Sequence, residues 1–212
     1  YRRQRQMCIR DRFKVPCVIV TTSAENWSME ELSSVSIDDE KAGETIVDYL
    51  IEHGHTKIAE IGANLELSQT ARLRHNGYLN SLKKHGITPD ERYYERARFS
   101  YDSAYRAMKK LLEKDIEITA VYAISDVMAI GALRAILDKG LRVPEDISIT
   151  GFDGSTLAEY YNPKIVSIRQ PHKDMAARSV ELLFNMIDLH KGSCHEIISF
   201  ELTEGESVAR IN

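Results

Sequence analysis

Residues 120–153 read AVYAISDVMAIGALRAILDKGLRVPEDISITGFD, and the fold is decided in this stretch. Ala120–Ile124 is a short apolar run without alternation, as expected of a strand buried on both faces. Ser125 and Asp126 follow, and Asp126 is expected to cap the next helix. Asp126–Lys139 sets Ala129, Leu133 and Ile136 on one side and stops at Gly140, with Pro144 shortly beyond. Ile147–Phe152 is a second apolar run, ending at Asp153. Strand, amphipathic helix and strand within about 30 residues make a βαβ unit, with parallel strands and a right-handed crossover.

The same alternation extends in both directions. Val15–Thr21, Lys57–Gly62, Ile165–Ile168 and Ile197–Leu202 read as further strands. Asp38 or Asp39 starts a helix running to His53, with Ala42, Ile46 and Leu50 spaced four apart and Gly54 as its stop. Thr70–His85, Ser103–Lys114 and Met175–Lys191 read as helices too. The fold class is therefore α/β, with mostly parallel sheets flanked by helices.

Composition narrows the classes. In 212 residues, 43% apolar and 28% charged side chains fit a globular chain, and no apolar run reaches the roughly 18–20 residues of a membrane span. Cys8, Cys17 and Cys194 are few and far apart, which argues against a disulfide framework and points to a reducing cytoplasm. The net charge is −4, yet residues 1–14 hold Arg2, Arg3, Arg5, Arg10, Arg12 and Lys14 against Asp11. The rest is more acidic than the whole, a poor surface for phosphate backbones. Asn26-Trp27-Ser28 matches a glycosylation triplet, a pattern without meaning in a cytoplasmic protein.

In an open α/β sheet, ligands bind beyond the carboxyl ends of the strands. The polar residues there are Thr70, Arg72 and Arg74 after Lys57–Gly62, Ser125 and Asp126 after Ala120–Ile124, and Asp153 after Ile147–Phe152. Arg169, Gln170 and His172 follow Ile165–Ile168, with Phe99 and Tyr101 nearby. An arginine fork, carboxylates and an aromatic face suit a small polyhydroxy ligand. Each residue also has a plainer reading: a turn for Asp153, the core for Phe99, and a surface ion pair for whichever of Arg72 and Arg74 points away. No nucleophile elbow, phosphate-binding loop or dinucleotide fingerprint occurs, so no catalytic residue is assigned. His53 and His55 read as solvated helix-end histidines, and no metal site or cofactor is expected.

Several segments together resemble the LacI/GalR family of bacterial transcriptional regulators. They are Val35-Ser36-Ile37-Asp38, Gly43, Leu50-Ile51-Glu52-His53-Gly54-His55, Ala71-Arg72-Leu73-Arg74 with Gly77-Tyr78, and Ser125–Ala132. Gly140–Ser148, Gly151-Phe152-Asp153, Gln170-Pro171 and Ser207-Val208-Ala209 complete the ordered series, which covers about residues 13–212. The resemblance implies a periplasmic-binding-protein-like core of two α/β subdomains around a cleft for a small effector, such as a sugar, sugar phosphate or purine. It implies a dimer on operator DNA through a helix-turn-helix headpiece that this chain lacks. It assigns effector binding to Arg74 and Asp153, cleft positions to Thr70, Phe99, Ser125 and Gln170, and the dimer interface to the segment of Tyr161.

On this reading residues 13–37 and 171–192 are a remnant of the N-terminal subdomain, with roughly 80 residues of it absent. Residues 38–170 and 193–212 form the C-terminal subdomain. The remnant is expected to expose apolar faces. Residues 1–12 match nothing in the family and read as a translated artefact. The function expected is effector sensing for a cytoplasmic regulator, and not an enzyme. The alternatives are a sugar-binding protein of a transporter and, more remotely, a sugar-modifying enzyme using Asp126 or Asp153 as base.

Overall fold

A computed structural model describes residues 15–23, 32–188 and 192–211. The basic segment 1–12, Cys8, the triplet at Asn26 and the end of the last expected helix lie outside them. The chain divides into two compact units: residues 1–38 with 171–199, and residues 39–170 with 200–212.

The larger unit carries a parallel sheet of β3 (Ile58–Gly62), β4 (Tyr94–Arg96), β5 (Ala120–Ala123) and β6 (Ser148–Thr150), in the order β4-β3-β5-β6. Every residue of β3, β5 and β6 is buried, including the polar Glu60, Ser148 and Thr150, as expected of strands covered on both faces. Isolated parallel bridges, Thr150 to Val166 and Asp153 to Arg169, run from β6 and its end to β7 (Ser167–Arg169) and the residue before it. β7 pairs antiparallel with β9 (Glu201–Thr203).

The helices of this unit pack as two pairs, α1 (Asp39–Glu52) with α2 (Gln69–Lys84) and α3 (Tyr101–Glu113) with α4 (Asp126–Asp138). Gly77 lets α1 and α2 approach, since a Cβ there would stand 2.2 Å from the Glu40 carbonyl oxygen. The core between helices and sheet is built from Ile46, Leu50, Ile61, Met108, Leu111, Ile124, Leu133, Ile136 and Ile149, all fully buried. A short helix, α5 (Thr156–Tyr160), precedes β7.

The smaller unit holds β1 (Cys17–Val20), β2 (Leu32–Ser36) and β8 (His195–Ile197), parallel in the order β1-β2-β8, with α6 (His172–Asp188) against β1 and β2. On α6, Met175, Ser179, Leu182 and Met186 are buried, while Val180, Phe184 and Ile187 are exposed.

Some sequence readings need correction. Ile197–Leu202 is not one strand: β8 joins the smaller unit and β9 the larger, so residues 193–199 run with the smaller unit and not with the larger one. The run holds no glycine or proline to mark the crossing. β2 and β4 escaped the reading because Leu32-Ser33-Ser34-Val35-Ser36 and Tyr94-Glu95-Arg96 are too polar to signal strands. In β2 the serines are buried and bonded, Ser33 Oγ donating to Met186 Sδ and accepting from the Cys194 amide. His55 is not solvated but 1% exposed, with its imidazole bonded to Thr119 Oγ1 and the Ala209 carbonyl.

Candidate functional site

Parallel order places the carboxyl ends of β3, β4, β5 and β6 at one edge of the larger sheet. Thr70 and Arg74 follow β3, Phe99 follows β4, Ser125 follows β5, Asp153 follows β6, and Gln170 follows β7. Behind β3 an N-cap by Ser68, whose Oγ accepts from the Ala71 amide, starts α2 and sets Thr70 and Arg74 one turn apart. Arg74 points inward and is 3% exposed, whereas Arg72 is exposed and donates to the Leu65 carbonyl. The outward arginine therefore bonds to backbone and makes no ion pair among the described residues.

Arg74 is held from several sides. Nε donates to Asp39 Oδ1 at 2.8 Å, Nη1 donates to the Ile124 carbonyl at 2.6 Å, and Nη1 lies 3.5 Å from Asp153 Oδ1. The guanidinium carbon sits 3.5 Å above the centroid of the Phe152 ring. A charge this deeply buried is stable only when paired and hydrogen-bonded, and Asp39, also buried, supplies that compensation. The side chain of Asp153 remains 32% exposed, so it presents a carboxylate at the rim while Arg74 stands behind it.

The backbone at the rim is unusual. Asp153 has φ 118°, a region that non-glycine residues rarely occupy, and Gly154 follows at φ 65°. Such strain costs about 1–3 kcal/mol and collects at functional positions. Gln170 Nε2 donates to Asp153 Oδ1 at 2.8 Å, and the Gln170 amide donates to the Asp153 carbonyl. Gln170 Oε1, like Gln69 Oε1 beside Thr70, is buried without a hydrogen-bond partner among the described residues. Each is an acceptor suited to a donor from water or ligand.

Ser125, and not Asp126, caps α4: its Oγ accepts from the Met128 amide. Asp126 is the first helical residue and a structural hub, accepting from the Ser155 amide and from Ser167 Oγ at 2.6 Å each. Burial pushes its carboxyl up against those bonds. Being 1% exposed and engaged in this way, it is badly placed to act as a base on a ligand. Phe99 is not core: it is 49% exposed in the turn after β4, next to the equally open Tyr101. Tyr161, half-buried, lines a separate apolar recess with Tyr101, Tyr105 and Ile130.

The structure thus joins Arg74, Asp153 and Gln170 directly and leaves Thr70, Phe99 and Ser125 at the same sheet edge. Sequence reasoning missed Asp39, Phe152 and Gln69. The acidic start of α1 was visible, but only as a helix-starting signal. Among the described residues no group of three or more His, Cys, Asp and Glu is placed to hold a metal ion. None of the described helices is long and apolar enough to cross a membrane.

Residues 47–208 match the family described as a periplasmic binding protein-like domain. The chain is 39% identical over 199 residues to the HTH-type transcriptional regulator MalR of Clostridium butyricum, covering 93% of this chain and 59% of the relative. It is 36% identical over 173 residues to the HTH-type transcriptional repressor CytR of Escherichia coli, covering 81% and 50%. Among solved structures, a complex of the transcriptional regulator CelR with cellobiose superposes with a TM-score of 0.82 at 28% identity, covering 91% of this chain and 65% of that one. A sugar-binding LacI-family regulator from Escherichia coli, complexed with phosphate, gives 0.83 at 28%, covering 98% and 73%. The chain spans between half and three-fifths of these curated relatives.

Proposed function

The chain belongs to the periplasmic-binding-protein-like family, with LacI-type regulators as its relatives, and from that membership we propose that it senses a small polar effector for a transcriptional regulator. One observation carries the reading: a buried Arg74, ion-paired with Asp39, stands directly behind a strained, part-exposed Asp153 at the carboxyl edge of the sheet. The arrangement fixes donor and acceptor in advance, so little ordering is left to the moment of binding.

In this reading Asp153 accepts from ligand hydroxyl or amine groups, and Arg74 fixes Asp153 and donates to ligand oxygen. Gln170 and Thr70 add polar contacts, Ser125 contributes its hydroxyl, and Phe99 covers an apolar ligand face. The effector classes that fit are sugars, sugar phosphates and purines. The chain acts as a homodimer through the segment of Tyr161, and operator DNA is held by a headpiece outside these residues. Control follows from a difference in effector affinity between the DNA-binding and released states of the dimer. The protein works in the cytoplasm and catalyses nothing. A transport-protein reading draws no support from relatives named as regulators.

Thermal melts with cellobiose, ribose, a hexose phosphate and a purine test the reading. One class is expected to raise the melting temperature, and Phe99→Ala is expected to remove most of that rise while leaving the unliganded melt in place. A rise untouched by Phe99→Ala would displace the ligand from this edge.

A further inference from the structure

Outside the effector edge, one carboxylate stands where the fold expects an apolar side chain. Glu60 lies in the middle of β3 and is completely buried. Its Oε2 is 2.6 Å from Nδ1 of His75 on α2, and its Oε1 has no hydrogen-bond partner among the described residues. Three tyrosines enclose the pair. Tyr94 on β4 meets the imidazole edge-on at 5.2 Å between ring centroids, and Tyr78 on α2 stacks against it at 6.2 Å. Tyr122 on β5 is the register neighbour of Glu60 and stacks on Tyr78.

A lone carboxylate in such a place is costly to ionise, and an imidazolium beside it repays that cost only while the proton stays. We propose that Glu60 and His75 share one proton as a latch that seats α2 on the sheet, and that loss of this proton with rising pH loosens the helix carrying Arg74.

The surrounding chemistry supports the assignment. Burial pushes the Glu60 carboxyl up. Burial also opposes charge on His75, but the hydrogen bond and the charge of Glu60 outweigh it, so the imidazole holds its proton above its ordinary value. Burial is the first cause of the upward shift of all three phenols, Tyr94 to about 12, with Tyr78 and Tyr122 also raised well above their ordinary value, so none ionises near neutrality. The remaining charges facing the cage are Arg96 toward Tyr94, Asp90 toward Tyr78, and Arg74, Asp39 and Asp153 toward Tyr122. Arg74 and the two carboxylates beside it are already paired. Titration near neutrality therefore falls on Glu60 and His75.

The sign follows from the raised imidazole. Stability from the latch is full below the ordinary histidine value and is lost as pH climbs through the raised one. The latch rests on the larger unit alone and stands or falls separately from the effector reading.

The test is a pH series on the full chain, read two ways. Imidazole 15N shifts should show His75 still protonated where free histidine has titrated. The melting temperature of the native chain should fall by about 3–5 °C per pH unit beyond that point, and Glu60→Gln should flatten the slope. Titration of His75 at the ordinary histidine value, or an unchanged slope in Glu60→Gln, would overturn the latch. Should Glu60→Gln fail to fold, the 15N titration of the native chain decides alone.

Discussion

The two units obey one architectural rule with different closure. In the larger unit every residue of β3, β5 and β6 is buried. In the smaller unit β1 is half-exposed, and α6 turns Val180, Phe184 and Ile187 outward at helical spacing. A parallel sheet is stable when both faces are covered. The larger unit meets that condition with two helix pairs; the smaller one has a single described helix of more than eight residues. Hydrophobic periodicity reveals that a helix exists, but the cover of each face depends on what packs there.

The largest effect expected within this comparison comes from Arg74→Ala, which leaves Asp39 buried without its main counter-charge. Denaturant unfolding should show a loss of about 3–5 kcal/mol, with hydrogen exchange rising in α1 and α2 while β1 and β2 keep theirs. An equal rise in both units would erase the distinction. Because this change strikes the fold, it is a poor probe of binding.

Gly77→Ala should come next, at about 1–3 kcal/mol, since the new Cβ has to displace the Glu40 carbonyl from 2.2 Å. Thermal melts read it, and a neutral outcome would mean that the α1–α2 seam is looser than it is built. The smallest effect belongs to the other unit: Phe184→Lys, at a 60% exposed site, should stay within about 0.5 kcal/mol of the parent and reduce light scattering at high concentration. A loss above about 2 kcal/mol would show that this face is covered in solution.

The legible part of the fold was the part whose strands carry buried aliphatic residues. β3, β5 and β6 announced themselves through Ile58, Ile61, Val121 and Ile149, and helix stops fell at Gly54, Gly86 and Gly140. β2 did not, because a strand with three serines is apolar only after its hydroxyls find partners such as Met186 and His195. At the sheet edge, Asp153 stood out from its place after a strand, whereas only the family resemblance separated Arg74 from Arg72. Asp39 did not stand out: its carboxylate meets Arg74 from 35 positions away, and nothing local marks a helix-starting aspartate as an ion-pair partner. The core reading of Phe99 failed because an aromatic residue in a turn carries no periodicity to say which way it faces.

Calorimetric titration of Asp153→Asn tests most directly whether the strained carboxylate at the sheet edge meets the effector. The exchange keeps the shape and leaves an oxygen for the Gln170 amide group, so the melt should hardly move. Affinity for the effector class that stabilises the parent should fall about tenfold or more, the worth of one charge-assisted hydrogen bond. Undiminished affinity in Asp153→Asn would move the effector away from the Arg74–Asp153 edge.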